Sequence, residues 1–514
     1  MKFFYLLLII ASSSSFAENF SSTSGAPIRQ GVHTEWYRTV APGNSGEAIF
    51  VWSDTRFGMR NIFAHKVNLE GTLIWGETGA VITNLPGRQE DPVAIMDGEG
   101  GAFIAWVDYR FDEEGDIFIQ HIDTDGNLIM DPDGVALAQV AGKQITINMC
   151  TDSLGGVFVS WQDKRGGVDE DIYGTHISSE HEIIAPGEGV PIANAGGNQS
   201  AKSIEYAGNN EAFIAWTDFR QGANANIYGQ RLTMDMIPTF SDNGIPIAQA
   251  IEQELTPRVT YINSGRSFVS WKEGDQDSRI YFQFIDSTGL IFDEAKSISA
   301  FESIQKSPRV KRSPNGEIFV NWTDLRDEPI KGDQYFQKIN TNGDTLWGNG
   351  IRLDLEDDLD FSTRFAAGNN GDLHVTWERG TFPDVDIFYQ NINSSGEHSV
   401  EEPINISFAH GHQFSPIVVG AGQNGLYIIY ADQSMGSIDL KVQLINSNYE
   451  YQWINGGITA MDGLDGDVNY TSSYQVGDED LYLYWEDNRS SKKIYGTRIM
   501  DEISQYNNGK QLTF

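Results

Sequence analysis

Residues 102–110 read AFIAWVDYR, and residues 212–220 read AFIAWTDFR. In each, small and apolar residues lead to a tryptophan, and an Asp and an Arg follow at fixed distances. The same frame recurs as EAIFVWSDTR (47–56), GVFVSWQDKR (156–165), RSFVSWKEGD (266–275), EIFVNWTDLR (317–326), DLHVTWERGT (372–381), GLYIIYADQS (425–434) and LYLYWEDNR (481–489). Its aromatic positions are Trp52, Trp106, Trp161, Trp216, Trp271, Trp322, Trp377, Tyr430 and Trp485, spaced by 54, 55, 55, 55, 51, 55, 53 and 55 residues. A fixed period of this length marks a repeat architecture.

Around the tryptophan run, each unit offers three more strand signals. A first run such as PVAIM (92–96) or PRVTY (257–261) precedes it. A third such as NIFAHKV (61–67), DIFIQHI (116–122) or NIYGQRL (226–232) follows after a short loop. A glycine-centred turn and a fourth run such as GVPIA (189–193) complete the unit. β-Branched enrichment, alternation and hairpin turns specify antiparallel β structure. Four-stranded units repeated every 50-odd residues specify a β-propeller. The expectation is therefore an all-β chain forming a single propeller of about nine four-stranded blades over residues 18–514. Eight blades with an irregular end, or two smaller rings, are the alternatives. No Pro-, Ser- or Gly-rich linker interrupts the period, which favours one domain. Either GAPI (25–28) or KQLTF (510–514) resembles a fourth strand able to close the ring.

Composition agrees and excludes some functions. The chain has 514 residues, 40% hydrophobic, with 35 Lys+Arg against 72 Asp+Glu and a net charge of −37. That apolar content supports a large core, and that charge argues against a nucleic-acid partner, since phosphate binding relies on Lys and Arg. The single cysteine, Cys150, precludes an internal disulfide framework. MKFFYLLLIIASSSSFA (1–17) has a charged start, nine apolar residues and a small-residue cleavage site near Ala17, the pattern of a secretory signal peptide. No later segment is apolar enough to insert in a membrane. The expectation is a secreted or periplasmic monomer.

Eight of the 12 tryptophans hold the repeat position, so they read as wedges between blades. Asp54, Asp108, Asp163, Asp218, Asp324, Asp432 and Asp487, with the arginines two residues on, read as loop staples. In these, the arginine pairs with that Asp or with a later one such as Asp116 or Asp171. On these motifs the chain resembles the secreted bacterial β-propeller proteins built from W-x-D-x-R…D-I-Y-x-Q repeats. The resemblance implies an extracellular or periplasmic propeller and no single activity. The sialidase box S-x-D-x-G-x-T-W is absent.

Residues that break the repeat are the informative ones. HTEWYR (33–38) gathers His33, Glu35, Trp36, Tyr37 and Arg38, a set suited to stacking on a sugar and hydrogen-bonding its hydroxyls. AHGHQF (409–414) offers His410 and His412 as a base or as two metal nitrogens. Arg258, Arg309 and Arg364 each lie thirteen residues before a repeat tryptophan, which predicts an arc of guanidinium groups for carboxylate or sulfate. Asp123 and Asp125 in DTDGN, and Asp357, Asp358 and Asp360 in LEDDLD, are weak calcium candidates. A hairpin turn and a solvated face are their simpler explanations. No cofactor is otherwise implied. The leading expectation is a binding propeller that recognises a glycan or another extracellular polymer through its loop face. A polysaccharide lyase or glycosidase acting on acidic polysaccharide, and an envelope module that contacts protein, are the alternatives.

Overall fold

The structure, a computed structural model, describes residues 26–27, 35–42 and 47–500, the last with short interruptions such as 354–359, 421–424, 462–467 and 488–492. The signal-like segment, His33 and KQLTF lie outside the described residues. Among them there are nine separate antiparallel sheets, one for each repeat. Blade 2 is representative: Gln89–Met96, Ala102–Asp108, Asp116–Ile122 and Val135–Ala138 pair in that order. Blade 5 carries an extra short strand, Gly289–Leu290, beside Lys296–Ser297. No described helix is long and apolar enough to cross a membrane.

The ring is closed by the chain's own beginning. Blade 9 supplies three strands, Val468–Val476, Asp480–Asp487 and Lys493–Met500, and its fourth is Ala26–Pro27. Ala26 pairs with Gly496 and Pro27 with Tyr495. The GAPI segment thus does what its likeness to a fourth strand suggested, and the chain passes from it directly into blade 1.

Packing between blades rests on the tryptophans. Trp52, Trp106, Trp161, Trp216, Trp271, Trp322 and Trp377 are all fully buried. Trp161 joins the apolar residues of blade 2, and Trp216 those of blade 3, so each indole closes the seam behind its own blade. The glycine before the fourth strand is shaped by this ring. Gly189 has φ +65°, and a Cβ there would lie 2.4 Å from the edge of Trp161. Gly134, Gly244 and Gly350 meet Trp106, Trp216 and Trp322 in the same way.

The W-x-D-x-R motif is a closed hydrogen-bond unit. Trp106 Nε1 donates to Asp108 at 2.9 Å, and Arg110 donates to the same carboxylate through its backbone and side chain. The Arg110 guanidinium lies 4.3 Å from the Phe118 ring centre. Blades 1, 3, 4 and 6 repeat this arrangement through Trp52, Trp161, Trp216 and Trp322. Among the described residues, Arg56, Arg110, Arg165, Arg220 and Arg326 each pair with the Asp two residues before, and not with Asp116 or Asp171.

Candidate functional site

Chain direction places the second-to-third and fourth-to-first connections of all blades on one face. Exposed large side chains divide between the two faces. Phe57, Phe111, Phe301, Phe361, Phe382 and Phe408 are on the face carrying W-x-D-x-R. Ile74, Ile129, Leu154, Ile237, Leu346 and Ile454 are on the other.

Every first strand is interrupted by a bulge near its start, and in blades 5, 6 and 7 an arginine follows it opposite the residue before the repeat tryptophan. Thr256, Ser307 and Ser362 open these bulges with φ of 52–55°. At the arginine register the other blades carry Thr39, Val93, Asn148, Ser203, Ile417 and Ser472. Arg258, Arg309 and Arg364 are exposed. The structure joins two of them: Arg309 Nη1 donates to the carbonyl of Thr363, and Arg364 Nη1 donates to the same oxygen at 3.1 Å. No described group connects Arg258 to this pair.

The strand Gln305–Arg312 reads QKSPRVKR and holds four cations in eight residues. Among the described residues, none of Lys306, Arg309, Lys311, Arg312 and Arg364 has an ion-pair partner, although the protein carries −37. Partial burial, then the like charge of Arg364, lowers the pKa of both Arg309 and Lys311. Crowded positive charge left unpaired favours an anion.

Beside the cations stands Glu378, which sequence reasoning passed over. It follows Trp377 at a position held in other blades by Ser53, Val107, Gln162, Thr217, Lys272, Thr323 and Ala431, and by one other acid, Glu486. Glu378 is buried, accepts the Ser415 backbone N–H at 2.7 Å and is hydrogen-bonded by Ser362, linking the bulges of blades 7 and 8. Burial raises its pKa, while those hydrogen bonds and the charges of His412 and Arg364 work against the rise. The signal available beforehand was a carboxylate at a register otherwise almost free of acid.

The rim over this group is aromatic. In blade 7 the second and third strands lengthen to Leu373–Thr381 and Asp384–Ile392 and turn tightly at Phe382-Pro383. Phe382 is 78% exposed, its ring edge-on to His412 at 5.6 Å, and His412 stacks on Phe414 at 4.8 Å. Gly411 N–H donates to Asp384 at 3.0 Å, which docks the AHGHQF loop on this hairpin. His412 thereby joins the site, and His410 lies exposed without a described contact.

The remaining candidates fall elsewhere. Glu35, Trp36, Tyr37 and Arg38 begin the first strand of blade 1, Glu35–Pro42, and their side chains lie outside the described residues. Asp123 accepts the N–H groups of Asp125 and Asn127 at 2.9 and 2.8 Å, which makes DTDGN a hairpin turn. Asp357 and Asp358 lie outside the described residues. Asp360 accepts Trp377 Nε1 at 2.8 Å and pairs with Arg379. No group of three or more His, Cys, Asp or Glu side chains among the described residues is arranged to hold a metal.

No protein-family model and no curated protein sequence matches the chain. Similar solved structures exist at low identity. One is a polysaccharide lyase described as an ulvan lyase bound to -[GlcA(1-4)Rha3S]-: 9% identity, TM-score 0.41, covering 88% of this chain and 97% of that one. The polysaccharide lyase Uly1 matches at 11% identity and TM-score 0.38, covering 70% and 90%. A mutant of the NanB sialidase from Streptococcus pneumoniae matches at 9% and 0.32, covering 94% and 98%. These values describe likeness of architecture and carry nothing about ligand or chemistry. The class of protein, an all-β propeller, rests on the strand pairing described above.

Proposed function

We propose that the protein binds an anionic polysaccharide across the loop face of blades 6 to 8. One observation carries this reading: Arg309 and Arg364 converge on one carbonyl oxygen without a carboxylate partner in a strongly acidic protein. Guanidinium groups held this way present forked donors to a carboxylate or sulfate. The exposed Phe382 and the His412–Phe414 stack beside them offer flat faces for sugar rings. An export signal at residues 1–17 would bring the protein to such polymers.

A second reading, an acidic-polysaccharide lyase, is favoured by the buried carboxylate of Glu378, which the charges of His412 and Arg364 both reach. Arginine would neutralise a uronate carboxylate while a neighbouring group moves the proton. The test is retention of the protein lacking residues 1–17 on uronate-rich, sulfated and neutral polysaccharides, with absorbance of unsaturated uronate followed in parallel. Retention on anionic polymers, lost in Arg309→Ala and Arg364→Ala, supports binding. New unsaturated ends support the lyase. Equal retention on neutral polymers, or retention unchanged in both variants, overturns the site.

A further inference from the structure

A different cluster lies at the seam of blades 2 and 3, on the face opposite the cations. His121, in the strand Asp116–Ile122, is stacked on Phe103 at 4.3 Å between ring centres. Its Nε2 is 2.9 Å from Asp97 Oδ2, and its Nδ1 is 2.6 Å from Nε2 of His181 in blade 3. Asp97 is itself fixed, accepting the N–H groups of Glu99 and Gly101 at 2.7 and 3.0 Å. We propose that His121 and His181 form a two-imidazole site for a divalent transition metal, with Asp97 as the outer carboxylate that orients His121.

Three features support this assignment. The first is direction. Asp97 takes the Nε2 proton of His121, so the Nδ1 lone pair faces His181; a carboxylate behind a ligating histidine is the usual outer partner in metal sites. The second is placement. Both imidazoles pack on Phe103, at 4.3 and 6.2 Å between ring centres, which holds the two rings side by side.

The third is contrast with the other blades. His176 and Asp152 form the corresponding pair in blade 3, at 2.9 Å, and no second imidazole meets them. His181 occupies the turn position held by Gly126, Gly343 and Gly396, and like them it has positive φ, +66°. That conformation is strained for a residue with a side chain. Tyr449 shares the position and reaches blade 7, where its hydroxyl donates to Asn391 at 3.1 Å. The position therefore delivers a side chain across a seam, and in blade 3 it delivers a ligand.

In the hydrogen-bonded form the two nitrogens share one proton, carried on Nε2 of His181. Metal binding moves that proton to Nδ1 of the same ring, and both freed lone pairs ligate at about 2.0–2.1 Å. Water completes the coordination. Imidazole ligands select copper(II), nickel(II) and zinc over calcium and magnesium. The His121 side chain is 13% exposed at this seam.

The test uses tag-free protein lacking residues 1–17, titrated calorimetrically with zinc chloride, with electron paramagnetic resonance on copper(II). One equivalent of zinc is expected, together with copper splitting from two nitrogens and no response to calcium. His181→Gly and His181→Asn both suit the turn, and each should weaken zinc binding at least 30-fold without lowering metal-free thermal stability. Asp97→Asn should weaken it about 10- to 100-fold. No zinc binding below millimolar concentration, or unchanged binding in either folded His181 variant, overturns the proposal.

Discussion

Asp360 and Arg379 face each other across the first two strands of blade 7, in the registers where blades 2, 3, 4, 6 and 8 place Gln and Asp. The carboxylate has moved to the first strand and the guanidinium to the second, yet the unit is complete. Trp377 Nε1 donates to Asp360 at 2.8 Å, Arg379 pairs with Asp360 at 3.1 Å, and the guanidinium lies 4.5 Å from the Phe388 ring centre. Asp360→Gln removes the charged acceptor shared by Trp377 and Arg379 and should cost about 1.5–3 kcal/mol in urea unfolding. Adding Arg379→Asp restores the Gln–Asp pair of the other blades and should recover most of that loss.

Blade 5 tests the value of the indole bond in the opposite sense. Glu254 and Glu273 face each other there, and Trp271 Nε1 is buried without a partner. Burial, with a smaller contribution from the Glu273 charge, raises Glu254 to about 7, partly opposed by two backbone N–H bonds. Glu273→Asp recreates the Trp-x-Asp spacing and should stabilise the protein by about 1 kcal/mol, the usual worth of one hydrogen bond. Thermal denaturation at pH 6 reads the change.

A pH effect follows from blade 2. Asp116 Oδ2 and Gln144 Oε1 are both buried acceptors without partners, whereas in blade 1 Asn61 Nδ2 donates to Gln89 Oε1 at 2.7 Å. Burial, then the charges of Asp112 and Asp108, raises Asp116 from 3.8 to about 7. Its contribution is fully present below pH 3.8 and is lost as pH rises towards 7, because the unfolded chain releases this proton first. Asp116→Asn supplies the missing donor at every pH. The variant should be more stable than the parent at pH 7, with a smaller decline in midpoint between pH 4 and 7.

The glycine–tryptophan contact predicts a packing defect. Gly189→Ala places a methyl group against Trp161 and strains a left-handed backbone. A loss of about 2–4 kcal/mol is expected from overpacking and strain together. Gly187 also has positive φ but meets nothing within 4 Å, so Gly187→Ala should cost less, from the backbone alone. Comparing the two denaturation curves separates packing from conformation.

Glu378→Gln distinguishes the two functional readings. Binding through Arg309 and Arg364 should persist with its salt dependence unchanged. Any production of unsaturated uronate that depends on the carboxylate should fall by 100-fold or more. Parallel affinity and absorbance measurements on one polymer decide it.

The blades were legible because each strand combines a two-residue alternation with a strict period, and the closing strand was legible as an orphaned fourth-strand motif at GAPI. The arginine register was legible for the same reason. Glu378 was not singled out, since its partners Ser362 and Ser415 are brought to it by bulges, which shift register without leaving a sequence mark. The exchange of Asp360 with Arg379 was hidden similarly: LEDDLD read as a run of surface acid until strand pairing set its last residue opposite an arginine. His121 and His181 belong to different repeats and meet because blades 2 and 3 stack.

The pairing of Ala26 with Gly496 joins residues 470 positions apart. Neighbouring blades assemble from contacts within about a hundred residues, so most of the structure can form progressively from either side. This one seam waits for the whole chain. It is the largest loop to close, and the strand pairing that offsets its entropic cost consists of two residue pairs. The ring therefore has a defined last step, and a chain halted before blade 9 would keep Ala26–Pro27 as an unpaired edge strand, open to pairing with another molecule.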